Sequence, residues 1–234
     1  MTILPNLSAS RSGTRVSRWQ NQRLALAAVA GPVLFTVAWA VLGLISDGYT
    51  LFGTRIAPYS SVHQPISGLG LGGTAVFMNT AFVLTGALLV IGVFGALGTT
   101  SVPVRARRSC AALLSLTGVG VATDGAFTLE AMLPHSIGFL LAVAAPAVSF
   151  PVAGRYLRRL PGWRGFGTWL MIAAPITLLL VVLFFATFTP TAEGAQHGIA
   201  GLVQRILVTE VLASFAALGI LAQRTPATTP TAAP

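Results

Sequence analysis

Six long apolar runs alternate with short polar stretches along this chain. The first runs from Leu24 to Ile45 and the second from Thr74 to Leu97, neither with a charge. The third, Ser109 to Leu129, contains Asp124, and the fourth runs from Ser136 to about Tyr156. The fifth, Phe166 to Phe188, is uncharged, and the sixth, Ile199 to Ala222, contains Arg205 and Glu210. Each is long enough for the roughly 20 helical residues that cross a bilayer. Each is also nearly continuous in its apolarity, whereas a barrel strand alternates over about ten residues. The pattern therefore predicts an all-α polytopic membrane protein: a six-helix transmembrane domain over residues 24–222, with residues 1–23 and 223–234 as disordered cytoplasmic ends. Pro32, Pro146, Pro151 and Pro175 fall inside spans, where a missing N–H predicts packing kinks.

Composition removes the alternatives. Hydrophobic residues make up 54% of the 234 and charged residues 8%, against about a quarter charged in a soluble domain. One cysteine, Cys110, excludes an intramolecular disulfide framework and a cysteine-cluster metal site. The +9 net charge does not signal nucleic acid. All 14 basic residues are arginine, and 12 of them flank spans on one side: before the first, between the second and third, between the fourth and fifth, and after the sixth. Arginine-rich short loops stay in the cytoplasm, so both termini are expected there, in a multi-pass protein of the plasma membrane. The first run is too long for the apolar part of a signal peptide and reads as an uncleaved anchor. Cys110, at the arginine-rich start of the third span, is expected to report this orientation through its resistance to an impermeant maleimide.

The remaining polar residues are segregated. All five acids and all three histidines lie in the outer connections or in the third and sixth spans. At 1.5 Å per residue, Asp124 lies roughly 9 Å below the end of the third span, Arg205 at a similar depth in the sixth, and Asn79 roughly 7–8 Å down the second. The expectation is an Asp124–Arg205 ion pair near Asn79, since an unpaired charge in lipid costs about 2.5–3.5 kcal/mol. That pair serves equally as a clasp between helices or as part of a binding site. Glu210 lies deeper and about 140° around the helix from Arg205. It is expected to be protonated or to hydrogen-bond a hydroxyl, since burial disfavours the charged carboxyl, with a proton relay as the sharper alternative. His63, His135 and His197 come from three separate connections without metal-ligand spacing, so they read as hydrogen-bonding caps, and no metal or cofactor is expected. The stretch from Gly68 to Gly73 lacks the strand and lysine of a phosphate loop and is expected to be a flexible lead-in to the second span. Ser67 shares a loop with His63, but no Ser/His/Asp triad has diagnostic spacing.

The stretch from Tyr59 to Leu69, then Met78-Asn79 and Gly86, resembles a bacterial and archaeal six-helix membrane family of unknown function that is common in actinobacteria. The resemblance continues through Asp124, Pro134-His135 and the Gly201–Arg205 stretch, covering about Leu24 to Ala222. Gln204 stands where that family usually carries an acid. The absence of lysine suits a GC-rich genome. The resemblance implies six helices and a polar outer cluster, and no activity. Three functions are compatible with the chain: binding of a lipid or cell-envelope component in an outward-facing polar pocket, an enzyme acting on a lipid or isoprenoid within the membrane, or a proton-coupled carrier using Glu210. The expected partners are membrane lipids and an unidentified small ligand, without nucleic acid. The candidate cluster is Asn79, Asp124, His135, Arg205, His63, Ser67 and His197.

Overall fold

The computed structural model describes residues 18–190 and 196–224. Arg11, Arg15, Glu193 and the tail beyond Arg224 lie outside the described residues. Six helices are long and apolar enough to cross a membrane: α1 (Arg18–Ile45), α2 (Gly72–Gly98, its first turn of the 3-10 type), α3 (Val104–Ala126), α4 (Met132–Leu157), α5 (Arg164–Thr187) and α6 (Ala200–Arg224). They alternate up and down, which brings the arginine-bearing ends of α1, α3, α4, α5 and α6 to one end of the bundle. Asn21 Nδ2 donates to Gly98 O at 3.1 Å, and Gln223 Nε2 donates to Gln22 O at 2.7 Å, tying that end together. The opposite, distal end carries the loops.

Large apolar side chains point outward as well as inward. Leu44 is 87% exposed and Leu133 73%, as expected where the surroundings are acyl chains rather than water. Between helices, small residues allow close approach. A Cβ on Gly86 of α2 would lie 2.4 Å from Gly118 O of α3, and one on Gly92 would lie 2.2 Å from Ala28 N of α1.

The helix ends differ from the apolar runs. α1 begins at Arg18, so residues 18–23 are helical and extend the first span. α3 begins just after Pro103 and takes Arg105, Arg107 and Arg108 onto its first turns. Their long stems let the charge stay at the surface while the backbone is already helical. α3 also ends at Ala126, three residues before the apolar run does. Asp124 therefore sits in its last turn, well above the expected depth. α4 is interrupted at Ala144–Ala145, between Met132–Val143 and Pro146–Leu157. Pro146 has no N–H to donate and begins the second half. Pro32, Pro151 and Pro175 remain inside continuous helix. Cys110 is buried on α3. Its failure to react would follow from packing alone, so it cannot report topology.

The long distal loop between α1 and α2 is folded. It forms a hairpin of β1 (Tyr49–Leu51) and β2 (Thr54–Ile56), with Thr50 opposite Arg55, then a 3-10 turn over Ile66–Gly70. The expected flexible glycine stretch is instead ordered and largely buried. Thr74 Oγ1 donates to Leu69 O at 2.7 Å, and Tyr49 lies so close that a Cβ on Gly68 would meet its ring at 2.5 Å. Gly72, with φ +65°, occupies the left-handed region that glycine enters without strain. A second, two-residue ladder pairs β3 (Thr189–Pro190) with β4 (Gln196–His197) between α5 and α6.

Candidate functional site

The distal loop is held down by α6. Arg205 is 6% exposed, and its Nη1 donates to Ser61 O at 2.7 Å, Gln64 O at 3.1 Å and Gly201 O of its own helix at 2.9 Å. Nη2 donates to Tyr59 Oη at 2.6 Å, and the guanidinium lies over the rings of Trp39 and Tyr59, 5.4 and 5.8 Å from their centroids. Tyr59 in turn donates to Pro65 O at 3.1 Å. Burial pushes the Tyr59 phenol above its ordinary value, with the Arg205 charge partly opposing that, so the hydroxyl keeps the proton this bond uses. One residue earlier, Gln204 Oε1 accepts from Ile66 N at 2.7 Å. Leu202 N donates to Val62 O at 3.0 Å. Gly201 is required here, because a Cβ would lie 2.3 Å from Gln64 O.

The expected Asp124–Arg205 ion pair is therefore not formed. Among the described residues no carboxylate lies within 4.0 Å of Arg205. Its charge is met by carbonyl dipoles, a phenol and two aromatic faces. The sequence puts the two at a similar depth, but α3 ends at Ala126 and leaves Asp124 in its last turn, while the distal loop takes the guanidinium.

Asp124 has a different neighbour. Its Oδ1 lies 3.8 Å from His135 Nδ1, with side chains 4% and 7% exposed. His135 Nδ1 lies 2.8 Å from Phe127 O, and Nε2 lies 3.1 Å from Ser67 Oγ. A carbonyl oxygen only accepts, so Nδ1 carries a proton. In the neutral ring Nε2 is then the lone-pair nitrogen, and the Ser67 hydroxyl donates to it. Three elements build this row: the 3-10 turn positions Ser67, the first turn of α4 positions His135, and the last turn of α3 positions Asp124. Gly138 allows α4 to pass, since a Cβ there would meet Asp124 Oδ1 at 2.4 Å.

Two cavities flank the row. The larger, of about 550 Å³, is lined by Ser67, His135, Ser136 and Gln204 on its polar side. Its apolar wall includes Phe139, Leu140, Phe184, Phe185 and Phe188, and its rim includes Phe52 of the hairpin and Met132. Met132, Leu140 and Phe185 are exposed on the helix surfaces, so this cavity reaches the flank of the bundle. The smaller, of about 30 Å³, is lined by Ser67, Thr117, Asp124 and Gln204 among apolar side chains. Asp124 Oδ1 and Thr117 Oγ1 have no hydrogen-bond partner within the protein there.

The remaining expected site residues lie elsewhere. Asn79 Nδ2 donates to Gly70 O at 3.0 Å and fastens the 3-10 turn to α2. His63 is exposed, with Nδ1 against Gly198 O. His197 is exposed in β4. The three histidines do not converge, and among the described residues no three His, Cys, Asp or Glu side chains form a metal-sized group. Glu210 Oε2 lies 2.8 Å from Thr177 Oγ1 of α5, which also donates to Ala173 O at 2.9 Å. The hydroxyl has one proton for two acceptors, so the second contact calls for a proton on the carboxyl. Glu210→Gln, which keeps a donor at that position, should change the unfolding free energy by under about 1 kcal/mol. A thermal or denaturant melt in detergent checks this, and a larger loss would show that the carboxyl does more than donate to Thr177.

Sequence reasoning missed Tyr59, Gln64, Gln204 and the phenylalanine wall, and noted Ser67 only as sharing a loop with His63, not as facing His135. The fold defines the chain as a multi-pass integral membrane protein with a polar row at one end of a six-helix bundle. Residues 29–221 match the family model described as "Protein of unknown function (DUF998)", and the chain belongs to that family. No curated protein and no solved structure matches it.

Proposed function

We propose that the protein binds an amphipathic lipid in the larger distal cavity, on the face of the membrane away from the cytoplasm. One observation carries this reading: an apolar cavity of about 550 Å³, reaching the bundle flank, ends on Ser67, His135 and Gln204. Its size falls in the range of small-molecule sites, and a wall of aromatic side chains ending in a few polar groups is how such sites fix an amphiphile's orientation. Gln204 Oε1 is taken by Ile66 N–H, so its Nε2 is the atom left to donate to a ligand oxygen. Asp124 supports the row from behind rather than facing the larger cavity.

The test is lipid retention. Protein purified in mild detergent should carry lipid detectable by native mass spectrometry, and adding that lipid at 100 times its Kd should stabilise the fold by about 2.7 kcal/mol. Ser136→Trp places a large ring in the cavity from an exposed position, and should abolish retention while leaving the unliganded melting point intact. Equal retention by the two proteins would defeat the reading.

Orientation is tested separately in a Cys110→Ala background. Thr50→Cys, on the exposed edge of the hairpin, should react with an impermeant maleimide in intact cells, while Ser101→Cys, exposed beside the arginine-rich end, should react only after lysis. The reverse pattern would turn the cavity toward the cytoplasm.

A further inference from the structure

We propose that Ser67 and His135 are a nucleophile and its general base for acyl transfer from a long-chain carboxylic ester, a function that rests on the lipid-binding reading of the same cavity. The Ser67 hydroxyl donates to His135 Nε2 across 3.1 Å, and both residues line the larger cavity. The opposite ring nitrogen is fixed as the protonated one by Phe127 O at 2.8 Å, so the tautomer is the one that can accept a proton from serine. A carboxyl oxygen, Asp124 Oδ1, lies 3.8 Å from Nδ1, on the side of the ring away from Ser67. The aromatic wall takes the acyl chain, and Gln204 Nε2 is the side-chain donor beside the reacting oxygen. A Ser–His hydrogen bond oriented by a third group, opening on an apolar cavity, is an arrangement that bulk packing does not require.

The step balances without a further reactant. Ser67 Oγ attacks the ester carbonyl carbon as its proton passes to His135 Nε2, and the carbonyl π pair moves to oxygen. That pair then reforms the double bond, the bond to the alcohol oxygen breaks, and the alcohol leaves with the proton from Nε2. Water repeats the sequence on the acyl-serine: it gives a proton to Nε2, the carboxylic acid is released, and Ser67 Oγ takes the proton back. An acceptor alcohol in place of water gives a new ester by the same course.

The experiment uses the full chain in detergent with two probes, a long-chain alkyl fluorophosphonate and p-nitrophenyl palmitate, run beside the lipid-retention measurement. Wild type should form a phosphonyl adduct on Ser67, located by peptide mass spectrometry, and release nitrophenolate. Ser67→Ala should lose the adduct and at least about 10³-fold in kcat/KM. His135→Gln, which can still donate to Phe127 O, should lose about 10²- to 10⁴-fold. Retained lipid in wild type with no adduct and no release above that of Ser67→Ala overturns acyl transfer and leaves lipid binding standing. No retained lipid and no adduct removes both. Release that survives in a lipid-retaining Ser67→Ala also overturns the proposal.

Discussion

Arg205→Met should lower the unfolding free energy by about 3 kcal/mol and release the distal loop. Arg205 is bonded to two loop carbonyls, Ser61 O and Gln64 O, and to the Tyr59 phenol. Methionine matches much of the length but donates nothing. It leaves the two carbonyl oxygens without that donor, at about 1–3 kcal/mol each, while the Tyr59 phenol keeps Pro65 O, offset by relief of the cost of keeping a guanidinium out of water. Arg205→Lys should lose less, because an ammonium keeps the charge and three donors but cannot span the same oxygens in a planar fork. The signature is local as well as global. Tyr59 is 8% exposed, so wild type should resist chymotrypsin at that residue while the methionine variant is cut there before it melts. Equal melting and equal protection would mean that the loop is held by Gln204 and Leu202 alone.

Gly86→Val should prevent accumulation of folded protein, and Gly86→Ala should cost about 3 kcal/mol, at the upper end of overpacking penalties. A Cβ at this position would meet Gly118 O at 2.4 Å, Ala122 N at 2.6 Å and Ala122 Cβ at 2.7 Å. Two of those atoms are backbone, so no side-chain rotation relieves the contact, and α3 must move as a body. The same helix carries Asp124 at its distal end, with Gly125 packed so closely that a Cβ there would lie 2.7 Å from Asn79 O. Any Gly86→Ala protein that survives should therefore show a weakened His135 environment, readable as a shift in the ring's NMR signals. Gly53, with open space around it, is the control: Gly53→Asn, a residue that tolerates its φ of +81°, should leave melting almost unchanged. Similar behaviour at both positions would remove the interhelical explanation.

The spans were legible because lipid demands a long apolar helix and tolerates few departures from it. The end of the molecule that gathers polar groups was legible for the same reason: each acid or histidine in so apolar a chain needs a polar setting. What sequence could not supply was which polar groups face one another. The apolar runs put Asp124 and Arg205 at one depth, but the early end of α3 lifts Asp124 into its last turn, and the residues between Tyr59 and Ile66 fold back to bond Arg205. Ser67 and His135 are 68 positions apart, with no periodicity linking a 3-10 turn to the start of α4. Ser67, His135 and Asp124 stood out singly as polar residues, but Gln204, beside Arg205 at the head of the last span, was not counted among them. The broken α4 was half legible: Pro146 marked the place, but Pro151, equally placed by pattern, stays within helix.

Arg205 and Gln204 reach partners more than 130 residues earlier in the chain. Synthesis delivers α6 after every other span, so a nascent chain with five helices already in the bilayer still lacks the groups that seat Tyr59, Gln64 and Ile66. The loop that carries Ser67 thus gains its Arg205 and Gln204 contacts only when the final helix is inserted.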